Sequence, residues 1–285
     1  MKRILFAFIA LLPAILSNAQ QNAFSLKFGK VTNYELNLSE YDQDKDAEAV
    51  VLFRTGLYYF SRDDMKGGFE LNMEITTKIK ILKQAGIKYG EFEIPYYIGD
   101  RESETIWGLE AVTYNIFNGA IEKASLEKKN IFEEKINDNW RMKKFAMPDV
   151  REGSVVEVKY TIKTPFFFNM REWRFQGKIP VIHSSLEYRA IPFFEYVYIV
   201  KGTSKLDEFT EIVNPREIQF RHIKYREIAY NFGMKNLPAF RDEEFITSEN
   251  DYIISANFQI SKINHLSGGS KAIMSTWPLD RKSVV

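Results

Sequence analysis

The sequence predicts an all-β protein: an antiparallel β-sandwich that a second, smaller sheet layer extends after about residue 201. Apolar side chains recur at every second position in segments such as Phe69–Ile75, and this period of two is typical of half-buried strands. Turn signals recur about every 8–15 residues, which favours an antiparallel sandwich over alternating strands and helices. The aromatic content of 15% agrees, because flat rings pack well on a pleated sheet.

Turn dipeptides and apolar periodicity place the individual strands. Asn118-Gly119 predicts a two-residue hairpin turn because both residues tolerate positive φ, and Asn137-Asp138 is a second turn candidate. Residues 83–89 and 236–244 have the composition of loops or single turns, and 204–211 is the best candidate for a short helix. The predicted strands, in chain order, are 49–60, 69–82, 109–117, 120–124, 130–136, 139–146, 155–164, 172–179, 182–190, 193–200, 217–223, 225–232 and 251–263.

Charge and cysteine content exclude several classes of function. The chain has 39 basic and 38 acidic residues, so it lacks the positive field that attracts nucleic acid. It has no cysteine, which excludes disulfides, zinc–thiolate sites, iron–sulfur clusters and a cysteine nucleophile within these residues. We therefore expect no nucleic-acid partner and no thiol chemistry from this chain.

The N-terminus has the three-part layout of a secretory signal peptide, residues 1–19. Lys2-Arg3 supply a positive start, Ile4–Leu16 is apolar apart from one proline, and Ser17-Asn18-Ala19 places small residues before a cut at Gln20. The apolar run is shorter than the roughly 20 residues that a spanning helix needs. We expect export of a near-neutral mature chain to the periplasm, the cell surface or the medium, with no stable membrane span; a buried N-terminal helix is the alternative.

The last six residues, Asp280–Val285, follow no pattern of the preceding chain. They match what a common sequencing-library adapter encodes in one frame before a stop codon. We interpret 280–285 as an adapter artefact, with a natural polar tail as the alternative. On this interpretation the gene continues beyond Leu279.

Three alternating aspartates resemble the opening of an EF-hand calcium loop. Asp42, Asp44 and Asp46 have the right spacing, but Ala47 and Phe53 stand where that loop needs its turn glycine and its bidentate glutamate. The pattern therefore favours a solvated acidic turn over a calcium site.

The histidines and serines form no recognisable catalytic motif. His183, His222 and His265 are far apart and lack metal-ligand spacing, so a structural role is expected for each. Ser184 and Ser185 beside His183 lack the G-x-S-x-G turn that exposes a nucleophile, and no glycine-rich phosphate loop precedes a helix. We expect no catalytic, cofactor-binding or metal site in this chain, and no cofactor.

Glutamates are frequent enough that a paired-carboxylate glycosidase stays open, because the separation that matters is spatial. Acidic residues on a sandwich nevertheless usually form its hydrated face. The glutamates in question are Glu133, Glu134, Glu187, Glu195, Glu243 and Glu244.

Several aromatic residues could form either a sugar-stacking platform or the core. Core and hairpin packing is the favoured interpretation, since in-phase residues such as Tyr160 point into a sandwich. Side chains alternate along an extended chain, so one ring of Phe166–Phe168 is expected to be exposed. The remaining candidates for a platform are Trp107, Trp140, Trp173, Tyr96 and Tyr97.

Three long stretches, 28–53, 78–97 and 130–192, together resemble the DUF3857 family of exported proteins of Bacteroidetes-type bacteria. The most specific pieces are MPDVREGSVVEVKYTI (147–162) and WRFQGKIPVIHSSLEYRAIP (173–192). The resemblance covers most of residues 25–265. It implies an immunoglobulin-like β-sandwich at the N-terminus of a larger protein, usually followed by a transglutaminase-like domain with a Cys-His-Asp site.

The resemblance also implies an organisation of the chain. Residues 236–263, followed by Ser275-Thr276-Trp277, look like the lead-in to the second domain, but the chain stops before any catalytic cysteine, and no residue of that triad can be assigned here. A weak internal seam is expected near 201–216. The expected units are 1–19, the signal peptide; 20–201, a DUF3857-like sandwich; 202–265, a continuation of the β region; 266–279, a linker toward a missing domain; and 280–285, the artefact.

Two functions from different classes remain. The first is a non-catalytic accessory module of an exported transglutaminase-like protein, whose partner is the downstream domain in cis. The second is a free-standing exported module that binds a glycan or a peptide, which the aromatic residues and the near-neutral charge favour. A reading frame that continues beyond Leu279 into a cysteine-containing domain supports the first, and a natural stop near Val285 supports the second.

Overall fold

The computed structural model describes residues 24–63, 67–241, 252–265 and 268–273, so the predicted signal peptide, residues 1–19, and the last six residues lie outside the described part. The described residues form β-strands, one short helix and three 3-10 segments at Gln84–Gly90, Lys128–Asn130 and Phe167–Asn169. The prediction of an all-β sandwich is confirmed. The elements are α1 (Asn33–Asn37), β1 (Ala49–Asp63), β2 (Gly68–Ile81), β3 (Glu91–Tyr97), β4 (Thr105–Phe117), β5 (Ala120–Ser125), β6 (Phe132–Lys135), β7 (Trp140–Ala146), β8 (Val155–Thr164), β9 (Trp173–Arg174), β10 (Val181–Ala190), β11 (Phe194–Lys201), β12 (Glu208–Phe220), β13 (Ile223–Leu237), β14 (Ser255–Asn264) and β15 (Ser270–Ala272).

Eight strands form the large sheet, in the order β12-β13-β10-β1-β2-β8-β4-β5. Neighbouring strands are antiparallel except β1 and β10, which run parallel from Val51 opposite Val181 to Tyr59 opposite Arg189. This parallel pair inserts β1 between β10 and β2, so strands distant in sequence become neighbours. Alternate residues of each strand point to opposite faces of the sheet, so each face combines residues that are far apart in sequence.

The small sheet, with order β11-β14-β15 and with β9 also pairing with β14, covers the inner face of the large sheet. Aromatic rings fill the space between the two layers: Trp173 meets Tyr58 edge-on at 6.2 Å, and Phe258 meets Phe232 at 5.8 Å. Gly56 makes this packing possible, because a Cβ there would lie 2.6 Å from the Trp173 ring. The smaller layer was predicted after residue 201, whereas its strands come from both sides of that position.

A third sheet, with order β3-β7-β6, closes one end of the sandwich. Phe92 stacks on Phe145 across β3 and β7 with ring centroids 5.5 Å apart. Ile94 and Phe145 are buried in the same hydrophobic cluster as the residues between the two main layers. This sheet therefore shares the core of the sandwich.

Some of the local predictions are confirmed and others are wrong. The Asn118-Gly119 turn is confirmed, with φ of 50° and 78°, and the apolar phase of residues 69–75 faces the core. The helix predicted at 204–211 is wrong: β12 begins at Glu208, because Phe209 packs on Phe232 and the strand pairs with β13. The helix α1 was missed, although Thr32 and Glu35 form a complete capping box.

Strands after the expected seam at 201–216 continue the same architecture. β12 and β13 complete one side of the large sheet through the pairing of β13 with β10. β14 is a central strand of the small sheet, so Ser255–Asn264 belongs to the sandwich. Ser270–Ala272, inside the predicted linker, pairs with β14 as β15.

Candidate functional site

The segment Phe24–Glu48, called the arm, covers one half of the outward face of the large sheet. Beneath it lies the buried side chain of Lys78, whose ammonium donates to the carbonyls of Ser25 (2.8 Å) and Lys30 (2.6 Å) and to the Glu35 carboxylate (3.2 Å). The second carboxylate beside Lys78 is that of Glu157, at 3.5 Å. The side chains of Lys78, Glu35 and Glu157 have no solvent exposure.

The arm supplies backbone partners that a bare sheet lacks. Glu157 accepts a hydrogen bond from the backbone N–H of Gly29 at 2.8 Å, and Lys80 donates to the carbonyl of Leu36 at 2.6 Å. Burial raises the pKa of Glu157 against the opposing effect of the Lys78 ammonium, and burial lowers the pKa of Lys80 to about 8. These charges are structural, because nothing outside the protein reaches them.

The other half of the outward face is uncovered and is called the open face. Its centre is a row of residues that face one another across six neighbouring strands. Opposite residues on adjacent strands point to the same face, so their side chains stand side by side. The members of the row, from β4 to β13, are Trp107, Thr161, Glu74, Leu57, Glu187 and Asn231.

A cavity of about 450 Å³ lies on the open face over β1, β2, β10 and β13. The hollow forms because small residues meet in the next row of the sheet: Thr76, Thr55 and Ser185. Polar side chains surround it, among them His183 and Glu208. The open face is therefore a hollow lined by hydroxyl, carboxylate, amide and imidazole groups.

His183, which was predicted to be structural, and Ser185, which lacks the nucleophile motif, meet in this hollow. The Ser185 hydroxyl oxygen lies 3.2 Å from Nε2 of His183, and burial lowers the pKa of the His183 imidazole. A serine nucleophile also needs N–H donors directed at the developing oxyanion. Because β10 pairs with β1 on one edge and β13 on the other, the backbone N–H groups around Ser185 are held in the sheet ladders.

The candidate glycosidase carboxylates are dispersed. Glu133 accepts from the Tyr96 hydroxyl at 2.5 Å, and this hydrogen bond lowers the pKa of its carboxyl. Hydrogen bonds from Asn264 and Lys262 likewise lower the pKa of Glu195. A general acid needs a raised pKa, so neither group is suited to protonate a glycosidic oxygen. Glu134 and Glu187 pair with Lys144 and Arg189, and Glu243 and Glu244 lie outside the described residues.

The structure separates the aromatic candidates. Trp173 is fully buried, which confirms core packing for that residue. Tyr97 lies between Trp140 and Phe166, with edge-to-face contacts at 5.7 and 5.1 Å, and Phe168 is the exposed ring of its run. Trp107 stands apart on the open face, and 67% of its surface is exposed.

The three aspartates form turns, as predicted. Asp44 pairs with the Arg241 guanidinium at 3.2 Å, and Asp46 lies 3.9 Å from Lys83. The carboxylates of Asp44 and Asp46 thus each face a cation of the protein. The described residues contain no group of three or more His, Asp or Glu side chains placed to hold a metal ion.

The apolar phase of β2, on which the sequence prediction rests, gives no sign of the open face. The alternate phase of the same strand is Asn72, Glu74, Thr76, Lys78 and Lys80. Five successive polar residues on one phase of a strand indicate a face that is either hydrated or specifically partnered. Both outcomes occur along this one strand.

Residues 71–207 match the model of DUF3857, described as a domain of unknown function with a solved structure. Residues 71–207 of this chain are therefore a DUF3857 domain. The DUF3857 match begins in β2 and ends just before β12. It therefore includes Trp107, Glu74 and Glu187 of the open face. Strands β12 to β15 complete both sheets beyond the matched region.

A solved structure with a related fold is described as a "putative protease from Parabacteroides distasonis ATCC 8503". The two structures share a TM-score of 0.56 and 12% sequence identity over 74% of this chain. The chain spans 40% of the length of that protein. No curated protein matches the sequence. None of the helices in the described residues has the length and apolarity to cross a membrane.

Proposed function

We propose that this DUF3857 chain is a non-catalytic accessory β-sandwich of a larger exported protein, whose catalysis belongs to a downstream transglutaminase-like domain. The observation that carries the proposal is the fold shared with a much longer protein described as a putative protease, of which this chain spans 40%. At 12% identity the likeness concerns the fold alone, so the activity of that protein enters here only as part of the proposal.

Exposed apolar residues give such a domain a place to contact the sandwich. β11 is an edge of the small sheet and β12 an edge of the large sheet, and Tyr198 brings the two together by contacting Phe209 at 5.6 Å. Val197, Ile199 and Ile212 are between 42% and 55% exposed beside this contact. A hydrophobic double edge of this kind is typical of a surface that another domain covers.

Export is part of the proposal. It is supported by the order of positive, apolar and small residues in 1–19. In this proposal the domain acts in the periplasm, on the cell surface or outside the cell.

The His183–Ser185 pair offers a direct test of the non-catalytic role. The mature chain from Gln20 is incubated with a serine-directed fluorophosphonate and with peptide and amide substrates, and labelling is located by mass spectrometry. We expect no labelling of Ser185 and no hydrolysis or cross-linking above buffer, because no oxyanion donors face the hydroxyl. Labelling that the variant Ser185→Ala abolishes, together with hydrolysis, would show that the domain is itself an enzyme.

The genomic part of the proposal has its own test. A long sequencing read across the codon for Leu279 should continue in frame into a domain with a cysteine followed by histidine and aspartate. A stop codon at a natural end near Val285 would instead favour a free-standing binding module.

A further inference from the structure

We propose that the open face binds a neutral polysaccharide, with Trp107 stacking on a sugar ring and the row from Glu74 to Asn231 hydrogen-bonding to sugar hydroxyls. This site is independent of any downstream domain. It assigns a ligand class to the DUF3857 sandwich itself.

The exposed indole of Trp107 is the apolar part of this site. Trp107 is the most exposed tryptophan among the described residues, at 67%, and no other aromatic ring packs on it. The Lys163 ammonium lies 5.4 Å from the centre of its ring and holds it beside β8. A large apolar ring kept on a polar surface is suited to stack on the C–H face of a sugar.

The charged side chains of the open face lie in pairs of opposite sign. Lys159 pairs with Glu74 at 3.2 Å, Arg189 pairs with Glu187 at 2.6 Å, and Glu208 pairs with Lys235. Each pair cancels its own charge and presents a donor and an acceptor together. Sugar hydroxyls both donate and accept, so paired charges suit a neutral polyol better than an anion or a cation.

The open face is long enough for several sugar units. From Trp107 on β4 to Asn231 on β13 the row crosses five strand spacings, about 24 Å in total. The hollow of about 450 Å³ lies along this row, beside Leu57. A row of this length, with the exposed Trp107 ring at one end and the hollow over its other strands, fits several linked sugar units better than a compact small molecule.

An extended peptide is disfavoured on this face. Peptides that add to a sheet do so through unpaired backbone groups at an edge. The strands beneath the row, from β8 to β13, are paired on both sides, so no backbone donor or acceptor is free there.

The experiment uses affinity gel electrophoresis of the mature chain through gels that contain neutral glucan, mannan, xylan or galactan, one at a time. We expect at least one polysaccharide to retard the protein. Trp107→Ala should raise the dissociation constant obtained from the retardation by about tenfold, because one apolar stacking contact is lost. The matched control is Trp140→Ala, which removes the second exposed tryptophan of the described residues, 38% exposed on β7, and leaves the retardation unchanged.

A second pair of variants tests the polar row. Glu187→Gln removes the charge of a carboxylate on the open face, and Glu195→Gln makes the same change on β11, away from that face. We expect only Glu187→Gln to weaken retardation. Circular dichroism of each variant confirms an unchanged β signature, so that a loss of binding is not a loss of folding.

Four results overturn the proposal: no retardation by any of the four polysaccharides, retardation that survives Trp107→Ala, retardation lost equally in Trp140→Ala, or self-association that Trp107→Ala abolishes in sedimentation velocity. The last result would assign the face to a second copy of the chain. None of them bears on whether a catalytic domain follows in the gene, so the accessory function and the glycan site fail separately.

Discussion

Strands β2 and β8 carry two lysine–glutamate pairs on the same outward face of the large sheet, and only their cover differs. Lys78 and Glu157 lie under the arm, 3.5 Å apart and without solvent exposure. Glu74 and Lys159 lie on the open face, 3.2 Å apart and about one third exposed. The residue types and the strands are the same, with the charges exchanged.

The difference shows that the cover decides what a charged pair contributes. Under the arm, the carbonyls of Ser25 and Lys30 and the N–H of Gly29 replace water around the pair. Removing one charge therefore leaves several buried groups without a hydrogen-bond or ionic partner. On the open face, water screens the pair and can replace either partner. One half of the face therefore holds the arm in place, and the other half remains available to a ligand.

The largest expected effect is that of Lys78→Met. Loss of the ammonium leaves two carbonyls without this donor and two carboxylates without their cation in a buried site. We expect the free energy of unfolding to fall by about 3–5 kcal/mol, as for other buried pairs broken on one side. Urea unfolding followed by circular dichroism measures it, and a loss below that of an exposed pair would show that the arm does not seal the site.

The pH dependence of Lys80 tests the same cover. Its pKa is lowered to about 8 in the folded protein, whereas an unfolded lysine titrates near 10.4, so the unfolded chain binds more protons between those values. Stability contributed by this group therefore rises with pH across that window, by roughly 1.5 kcal/mol between pH 8 and 9.5. Urea unfolding of the wild type and of Lys80→Met at both pH values isolates the effect, since the variant should lack the rise; equal slopes would contradict it.

A smaller effect is expected for Thr32→Ala at the start of α1. The Thr32 hydroxyl accepts from the Glu35 N–H at 3.1 Å, and its loss should cost about 1 kcal/mol. Limited proteolysis should then cut within the arm sooner than in the wild type. The control Thr210→Ala removes a threonine hydroxyl from the edge strand β12 and should leave cleavage of the arm unchanged.

The smallest effect is expected for Lys159→Met, the counterpart of Lys78→Met on the open face. We expect a loss of about 0.5 kcal/mol, and less at high salt, because the pair is exposed. Urea unfolding at low and at high ionic strength measures both. Equal losses in the two lysine variants would remove the distinction between the covered and the open halves.

Much of the fold was predictable because it depends on neighbours in sequence. The Asn118-Gly119 turn follows from the backbone freedom of its residues, and the inward phase of β8 from the alternation of Val156, Val158 and Ile162. The helix expected at 204–211 failed because the competing interaction, pairing of β12 with β13, lies more than 20 residues away.

The open face was not predictable in the same way. Trp107, Glu74 and Glu187 are far apart in sequence and meet only because β1 joins β10 in parallel and β2 in antiparallel fashion. Polar residues on a strand do not reveal whether water, an arm or a ligand lies above them. The sequence signal for this face was the long run of polar residues on one phase of β2.

The sequence by itself determined the all-β class, the hairpin turns and the inward apolar phases, because these follow from local sterics and from the period of two along a strand. Only the tertiary structure decided which polar residues are buried with partners and which are exposed. That choice depends on the arm lying over Lys78 and stopping short of Glu74, and a difference of four residues along one strand thus separates a structural ion pair from a candidate binding surface.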